Sequence, residues 1–166
     1  MNYIICLIFI SICAVMRVVE HAPNFTPIIS VALLSGFYIK NRFLILLPIG
    51  SMFLSDIFIG SHGVQFWVYL PLMIIFATGY FIKNNNMKNV FVYSVLSSIV
   101  FFIVSNFGVW VMGGYTYDFS GFIACYVMAV PFFKNTLLST VIFSLLFHYS
   151  FKFLSSFEKQ TVNTTA

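Results

Sequence analysis

The sequence predicts an all-α membrane protein, a bundle of six transmembrane helices. A broken loop is expected between the first and second spans, and a half-helix between the fifth and sixth. Three observations lead there. Only 7% of the 166 residues are charged and 61% are hydrophobic, whereas soluble domains are roughly 25% charged. The apolar residues fall into long runs separated by short polar clusters. The lysines and arginines sort to alternate loops, the bias that sets orientation in a membrane. One transmembrane domain is expected over 1–157, with a polar cytoplasmic tail over 158–166.

The first span is read at Asn2–Val19, where Tyr3 to Met16 is uninterrupted and apolar. Its start lacks the positive charge of a signal peptide, and Ile12 is too bulky for lipid attachment at Cys13. The stretch Arg17 to Pro27 then crowds charge and two prolines into one segment. Thr26 reads as an N-cap and Pro27 as the first residue of the second span, which ends at Ile39 before Lys40-Asn-Arg42. Thirteen residues give about 20 Å against a hydrocarbon core of about 30 Å. The shortfall predicts that Glu20 to Thr26 dips below the membrane surface, where irregular backbone must line a cavity or be buried in protein.

The third span is read at Phe43–Gly60, with Pro48 near its start and Asp56 near its end, followed by a Gly60-Ser-His-Gly63 turn. The fourth covers Gln65–Ile82, with Trp67 and Tyr69 at the level of an interfacial aromatic belt. A polar loop over Lys83–Lys88 precedes the fifth, Asn89–Met112, which is expected to be interrupted late by Asn106 and Gly108. After the Gly113–Asp118 turn, Phe119–Val130 is apolar but short and ends at Pro131, so it is read as a half-helix that folds back. The sixth span then covers Thr136–Phe157.

Six spans put both termini on one side. With the N-terminus inside, Lys40, Arg42, Lys83, Lys88, Lys152 and Lys159 are cytoplasmic, and only Arg17 and Lys134 lie outside. The positive-inside rule therefore predicts a multi-pass protein of the cytoplasmic membrane with both termini in the cytoplasm. The unusual polar residues then gather on the outer half. Candidate substrate-binding residues are Arg17, Glu20, His21, Asn24, Thr26, Asp56, Asn106, Trp110, Tyr126, Lys134 and Asn135. Intramembrane charge is costly and usually marks a pathway or pocket, and paired interrupted segments point to a transporter's binding site.

Each has a blander reading. Arg17 and Glu20 at i,i+3 also suit a helix-end ion pair. His21 and Asn24 suit turn hydrogen bonding. Asp56, at the unfavourable end of a helix dipole, calls for a partner such as Lys134 or Arg17 or for solvent. His148 reads as an interhelical hydrogen-bonder, and Ala32-x-x-x-Gly36 and Ser51-x-x-x-Ser55 as packing pairs. The net charge of +4 reports topology rather than a nucleic-acid partner. The three cysteines (Cys6, Cys13, Cys125) lack metal-type spacing, and no metal or other cofactor is expected. No phosphate loop, zinc-binding histidine pair or serine elbow is present.

Glu20-His-Ala-Pro-Asn-Phe-Thr-Pro-Ile28, Leu54-Ser-Asp56, Ser105-Asn-Phe-Gly-Val-Trp110, Ala124-Cys-Tyr126 and Pro131-Phe-Phe-Lys-Asn-Thr136 together resemble a family of small uncharacterised bacterial membrane proteins. That family is similar to the substrate-binding S components of energy-coupling factor (ECF) vitamin transporters. The resemblance implies an outward pocket, lidded by the connections between spans 1 and 2 and spans 5 and 6. It also implies a small solute and, as partners, a membrane coupling protein and two ATPases. The first span departs from that pattern, with scattered Cys6, Ser11, Cys13 and Ala14 in place of an Ala-x-x-x-Ala docking face. The expected function is a solute-binding transporter subunit in which Arg17 and Lys134 meet an anionic group and Trp110 and Tyr126 stack on the solute. The alternatives are a membrane enzyme using His21 with Glu20 or Asp56, or an accessory subunit that does not transport.

Overall fold

The computed structural model describes residues 15–16, 22–39, 45–60, 63–84 and 86–164. Arg17, Glu20, His21, Lys40, Arg42, His62 and nearly all of the expected first span lie outside the described residues. Every regular element described is helical: α1 (Ile28–Ile39), α2 (Leu46–Ile59), α3 (Gln65–Phe81), α4 (Met87–Val111) and α5 (Phe119–Thr164).

The caps and stops follow local chemistry. Ala22-Pro23-Asn24-Phe25 is a type II turn: Phe25 N–H donates to the Ala22 carbonyl at 3.0 Å, and Asn24 has φ +62°. Proline pre-sets the second position of such a turn and asparagine tolerates the left-handed third. The first helical bond of α1 runs from Val31 N–H to the Pro27 carbonyl, so α1 opens one residue later than Thr26 as N-cap would have it. Pro48 falls in the first turn of α2, where backbone N–H groups have no intrahelical partner to lose. Asn86 caps α4 by accepting from Asn89 N–H at 2.8 Å. The end of α4 is a Schellman motif, with Gly113 N–H on the Trp110 carbonyl, Gly114 N–H on the Val109 carbonyl and Gly113 at φ +82°.

Two helices, Met87–Val111 and Phe119–Phe153, are long and apolar enough to cross a membrane. Their polarity is inverted relative to a soluble bundle. The buried face of α4 carries Ser94, Ser97 and Ser98, and that of α5 carries Thr136, Ser139, Thr140, Ser144 and His148. The outward faces carry Phe91, Leu96, Ile99 and Ile103, and Leu138, Ile142, Leu146 and Phe153. Large apolar side chains stay outside while hydroxyls go in, each bonded to its own helix where geometry allows, as at Ser94, Ser98 and Thr136.

α1 occupies the middle. Every residue from Ile28 to Phe37 is buried, and the helix touches α2, α3, α4 and α5. Its closest neighbour is α3, because glycines meet there. A Cβ on Gly36 would collide with the Phe76 carbonyl oxygen, and one on Gly79 with the Leu33 carbonyl oxygen. Ala32, fully buried one turn before Gly36, completes the small face that permits this approach.

Two expected interruptions are absent. α4 runs unbroken through Asn106 and Gly108. Asn106 returns its Nδ2 to the Phe102 carbonyl at 2.7 Å, and Gly108 leaves room for the Trp67 ring, which a Cβ there would strike. Trp67 is thus a half-buried packing residue, with Phe107 edge-on at 5.4 Å. Likewise, Phe119–Val130 does not fold back. α5 is a continuous helix of 46 residues with Pro131 inside it. Its first turns lie along α4, held by Tyr126 Oη on the Ile103 carbonyl at 2.8 Å and Cys125 Sγ on the Asn106 carbonyl at 3.3 Å. Pro131 removes one backbone bond, to Val127, and both residues are exposed among the described residues. The helix also continues past Glu158, where a polar tail was expected.

Candidate functional site

The described helices and the turn before α1 line an open cavity of about 370 Å³. Its wall is apolar and aromatic, with Phe101 and Phe102 from α4, Phe132 and Phe133 from α5, Met52 from α2 and Val68 from α3. Five polar residues also line it: Asn24 and Thr26 from the turn before α1, Ser105 and Asn106 from α4, and Thr136 from α5. No charged residue is among the described lining. The Ser105 and Thr136 hydroxyls are spent on carbonyls of their own helices. Among the described residues, the Asn24 side chain, Thr26 Oγ1 and Asn106 Oδ1 make no hydrogen bond and can orient and hold a ligand.

The turn is tied down across the bundle. Asn135 Nδ2 donates to the Pro23 carbonyl at 2.9 Å, and Ser139 Oγ reaches the Asn24 carbonyl at 3.5 Å while also bonding the Thr136 carbonyl at 3.1 Å. Asn135 and Ser139 are one turn apart on α5, so one helix face grips two successive carbonyls. Type II geometry turns the backbone back at Asn24, which sets that residue and Thr26 at the cavity rim.

The other sequence-predicted site residues stand elsewhere. Trp110 donates Nε1 to the Thr116 carbonyl at 3.0 Å and packs edge-on against Phe122 at 5.4 Å. Tyr126, bonded to α4, contacts Phe122 at 4.9 Å and Phe102 at 5.6 Å. Both brace the α4–α5 hairpin behind the cavity wall rather than facing into it. Lys134 is exposed and outside the lining. Asp56 is 5% exposed and accepts from Gln65 Nε2 at 3.1 Å and Tyr69 Oη at 2.5 Å. Lys134 is not among its partners, and Asp56 joins α2 to α3 away from the lining. Of the predicted residues, the structure therefore brings Asn24, Thr26 and Asn106 together in the lining, with Asn135 supporting them.

Two features were missed in the sequence. Phe101, Phe102, Phe132 and Phe133 are not among the predicted site residues, although adjacent pairs on two helices are a usable signal. Asp118, expected only as the end of a turn, caps α5. Its Oδ1 accepts from Gly121 N–H at 2.6 Å and from the Thr116 hydroxyl at 2.9 Å. The Gly121 amide first, and then Thr116, hold its carboxyl below the usual aspartate range.

A family model matches residues 1–162, nearly the whole chain. The protein belongs to DUF6580, a family of unknown function. No curated protein and no solved structure matches it. The chemistry of this DUF6580 cavity is therefore read from its own lining: one hydrogen-bonding edge, an aromatic wall and no charge among the described groups.

Proposed function

We propose that the protein is a membrane-embedded, small-solute-binding subunit of a transporter, loading from the outer face in the manner of ECF S components. The observation that carries this reading is the cavity itself. Apolar walls with a few convergent polar groups are the usual make-up of a small-molecule site, and this one lies under a turn pinned in place from another helix. In the proposal, Asn24, Thr26 and Asn106 orient the polar part of the solute and the four phenylalanines take its apolar part. Arg17, just ahead of the turn in sequence, is assigned to an anionic group, with Glu20 and His21 beside it.

The inverted polarity of α4 and α5 supports immersion in lipid, since Leu, Ile and Phe are favoured against hydrocarbon and hydroxyls against other helices. The lysine distribution supports six spans with both termini cytoplasmic, which puts the pinned turn on the outer side. Coupling to a membrane partner and two ATPases follows from the resemblance alone.

The test is to purify the protein in mild detergent, identify co-purifying small molecules by mass spectrometry, and screen vitamins by thermal shift. A ligand is expected whose binding weakens at least tenfold in Asn24→Ala and Asn106→Ala. Unchanged binding in both variants removes the cavity assignment. Uptake by cells carrying the chain with and without ATPase partners separates a transporter subunit from an accessory one.

A further inference from the structure

Most serines and threonines on these helices bond a carbonyl three or four residues back. Among the described residues, Thr140 and Ser144 do not: both are fully buried, and neither Thr140 Oγ1 nor Ser144 Oγ has a hydrogen-bond partner. The reason is visible in the neighbouring bonds. The carbonyl one turn before Thr140 is that of Thr136, which Ser139 Oγ occupies. The carbonyl one turn before Ser144 is that of Thr140, which Ser30 Oγ from α1 occupies at 2.9 Å. The carbonyl four residues before each hydroxyl already accepts another side chain.

These two residues belong to a row at i,i+4 spacing, Thr136, Thr140, Ser144 and His148, all buried on one face of α5. The row starts in the cavity, since Thr136 lines it. It ends at His148, whose Nδ1 is hydrogen-bonded to Tyr38 Oη of α1. The α4–α5 pair is antiparallel, fixed by Phe102 against Phe133 and Tyr149 against Met87. That register sets Ser94 and Ser98 of α4 level with Thr140. Groups at i,i+4 are about 5–6 Å apart, which is two hydrogen bonds of about 2.8 Å with one water between them.

We infer that Thr140 and Ser144 hold ordered water in a buried file that connects the cavity to His148 and carries protons to that imidazole. Buried hydroxyls without a protein partner are where proteins place structural water, and a file of water and hydroxyls is a proton path. Among the described residues, the other titratable groups at this end of the bundle are Tyr38 of α1, Tyr80 of α3, Lys83 after α3, Lys88 and Tyr93 of α4, and Tyr149 and Lys152 of α5. None of these lies in the row between Thr136 and His148. The inference holds whichever solute the cavity takes.

The experiment uses the full chain in lipid nanodiscs, with ¹⁵N-labelled histidine and labelled threonine and serine, and His148 assigned through His148→Gln. Magnetisation transfer from water to Thr140 and Ser144 is expected, together with solvent proton exchange at the His148 ring nitrogens. In Thr140→Val/Ser144→Ala the water transfer is lost and the His148 proton-exchange rate falls at least tenfold. Thr140→Ser, which keeps the hydroxyl, retains both. Absence of water transfer in the unsubstituted protein, or an unchanged His148 exchange rate in the double variant, overturns the file. Should the double variant fail to fold, Ser144→Ala alone carries the same readout, with the same two outcomes.

Discussion

Asn135 gives its side-chain amide to the Pro23 carbonyl at 2.9 Å, across 112 residues of chain. This bond fixes the position of the turn that brings Asn24 and Thr26 to the cavity. Asn135→Ala removes a neutral hydrogen bond worth about 1 kcal/mol, so a modest fall in melting temperature is expected in detergent. Binding of any cavity ligand should fall further than stability does, because the rim loses its anchor. Ser139→Ala, at 3.5 Å from its acceptor, should cost less. Parallel melting and ligand titrations of the two variants check the order.

Asn24 is in the left-handed region at φ +62°. Asn24→Gly keeps the turn at little cost. Asn24→Ala should destabilise by about 1 kcal/mol, and Asn24→Val by more, because a branched Cβ is least tolerated there. Thermal melting of the three variants should rank them Gly, Ala, Val. A valine variant as stable as the glycine variant would contradict the turn type.

Gly36→Ala and Gly79→Ala each drive a methyl group into a backbone carbonyl of the facing helix. Neither α1 nor α3 can yield locally, so each should cost about 3 kcal/mol or more, at the upper end of overpacking. Gly50 is the internal control, with open space around its Cα. Gly50→Ala should be neutral or stabilising by about 0.5 kcal/mol through helix propensity. Expression yield and melting in detergent distinguish the sites.

Asp118 predicts an acid response confined to one helix end. Its folded carboxyl titrates below the ordinary aspartate value, so the capping bonds are at full strength above about pH 4. They are lost as pH falls through the depressed folded value. Protection of the Gly121 and Phe122 amides against hydrogen exchange, relative to the intrinsic rate at each pH, should therefore fall at low pH in the unsubstituted protein. In Asp118→Ala protection should be low at every pH, whereas Asp118→Asn should keep the cap and flatten the pH response.

Much of the fold could be read in the chain because membrane-type helices announce themselves by length and apolarity. The start at Thr26-Pro27, the stop at Ile39 and the bounds of α3 are accurate to within a residue or two. The errors share one cause, the treatment of Pro131, Asn106 and Gly108 as breakers. Each is accommodated by its surroundings: Pro131 on an open face, Asn106 by a bond within its own helix, and Gly108 by the ring of Trp67. The exposed face of Pro131 and the ring of Trp67 are set by tertiary packing, and the Asn106 bond, though local, goes to a backbone carbonyl that composition does not flag. The cavity lining divides the same way. Asn24 and Thr26 reach it from a turn that is local in sequence, and Asn106 is a polar residue that stands out in an apolar run. Trp110 and Tyr126 stand outside the lining because they bond the backbone carbonyls of Thr116 and Ile103, which composition never flags.

The enclosure of α1 bears on how the chain is made. This helix of 12 residues is about 18 Å long, walled by its neighbours from Ile28 to Phe37. Synthesis delivers it before α2, α3, α4 and α5, the described helices that surround it. Its packing against them is therefore completed only once α5 has been made: the segment emerges early and is enclosed late. Truncation after α3 would leave it without the Ser30–Thr140 and Tyr38–His148 attachments that α5 supplies.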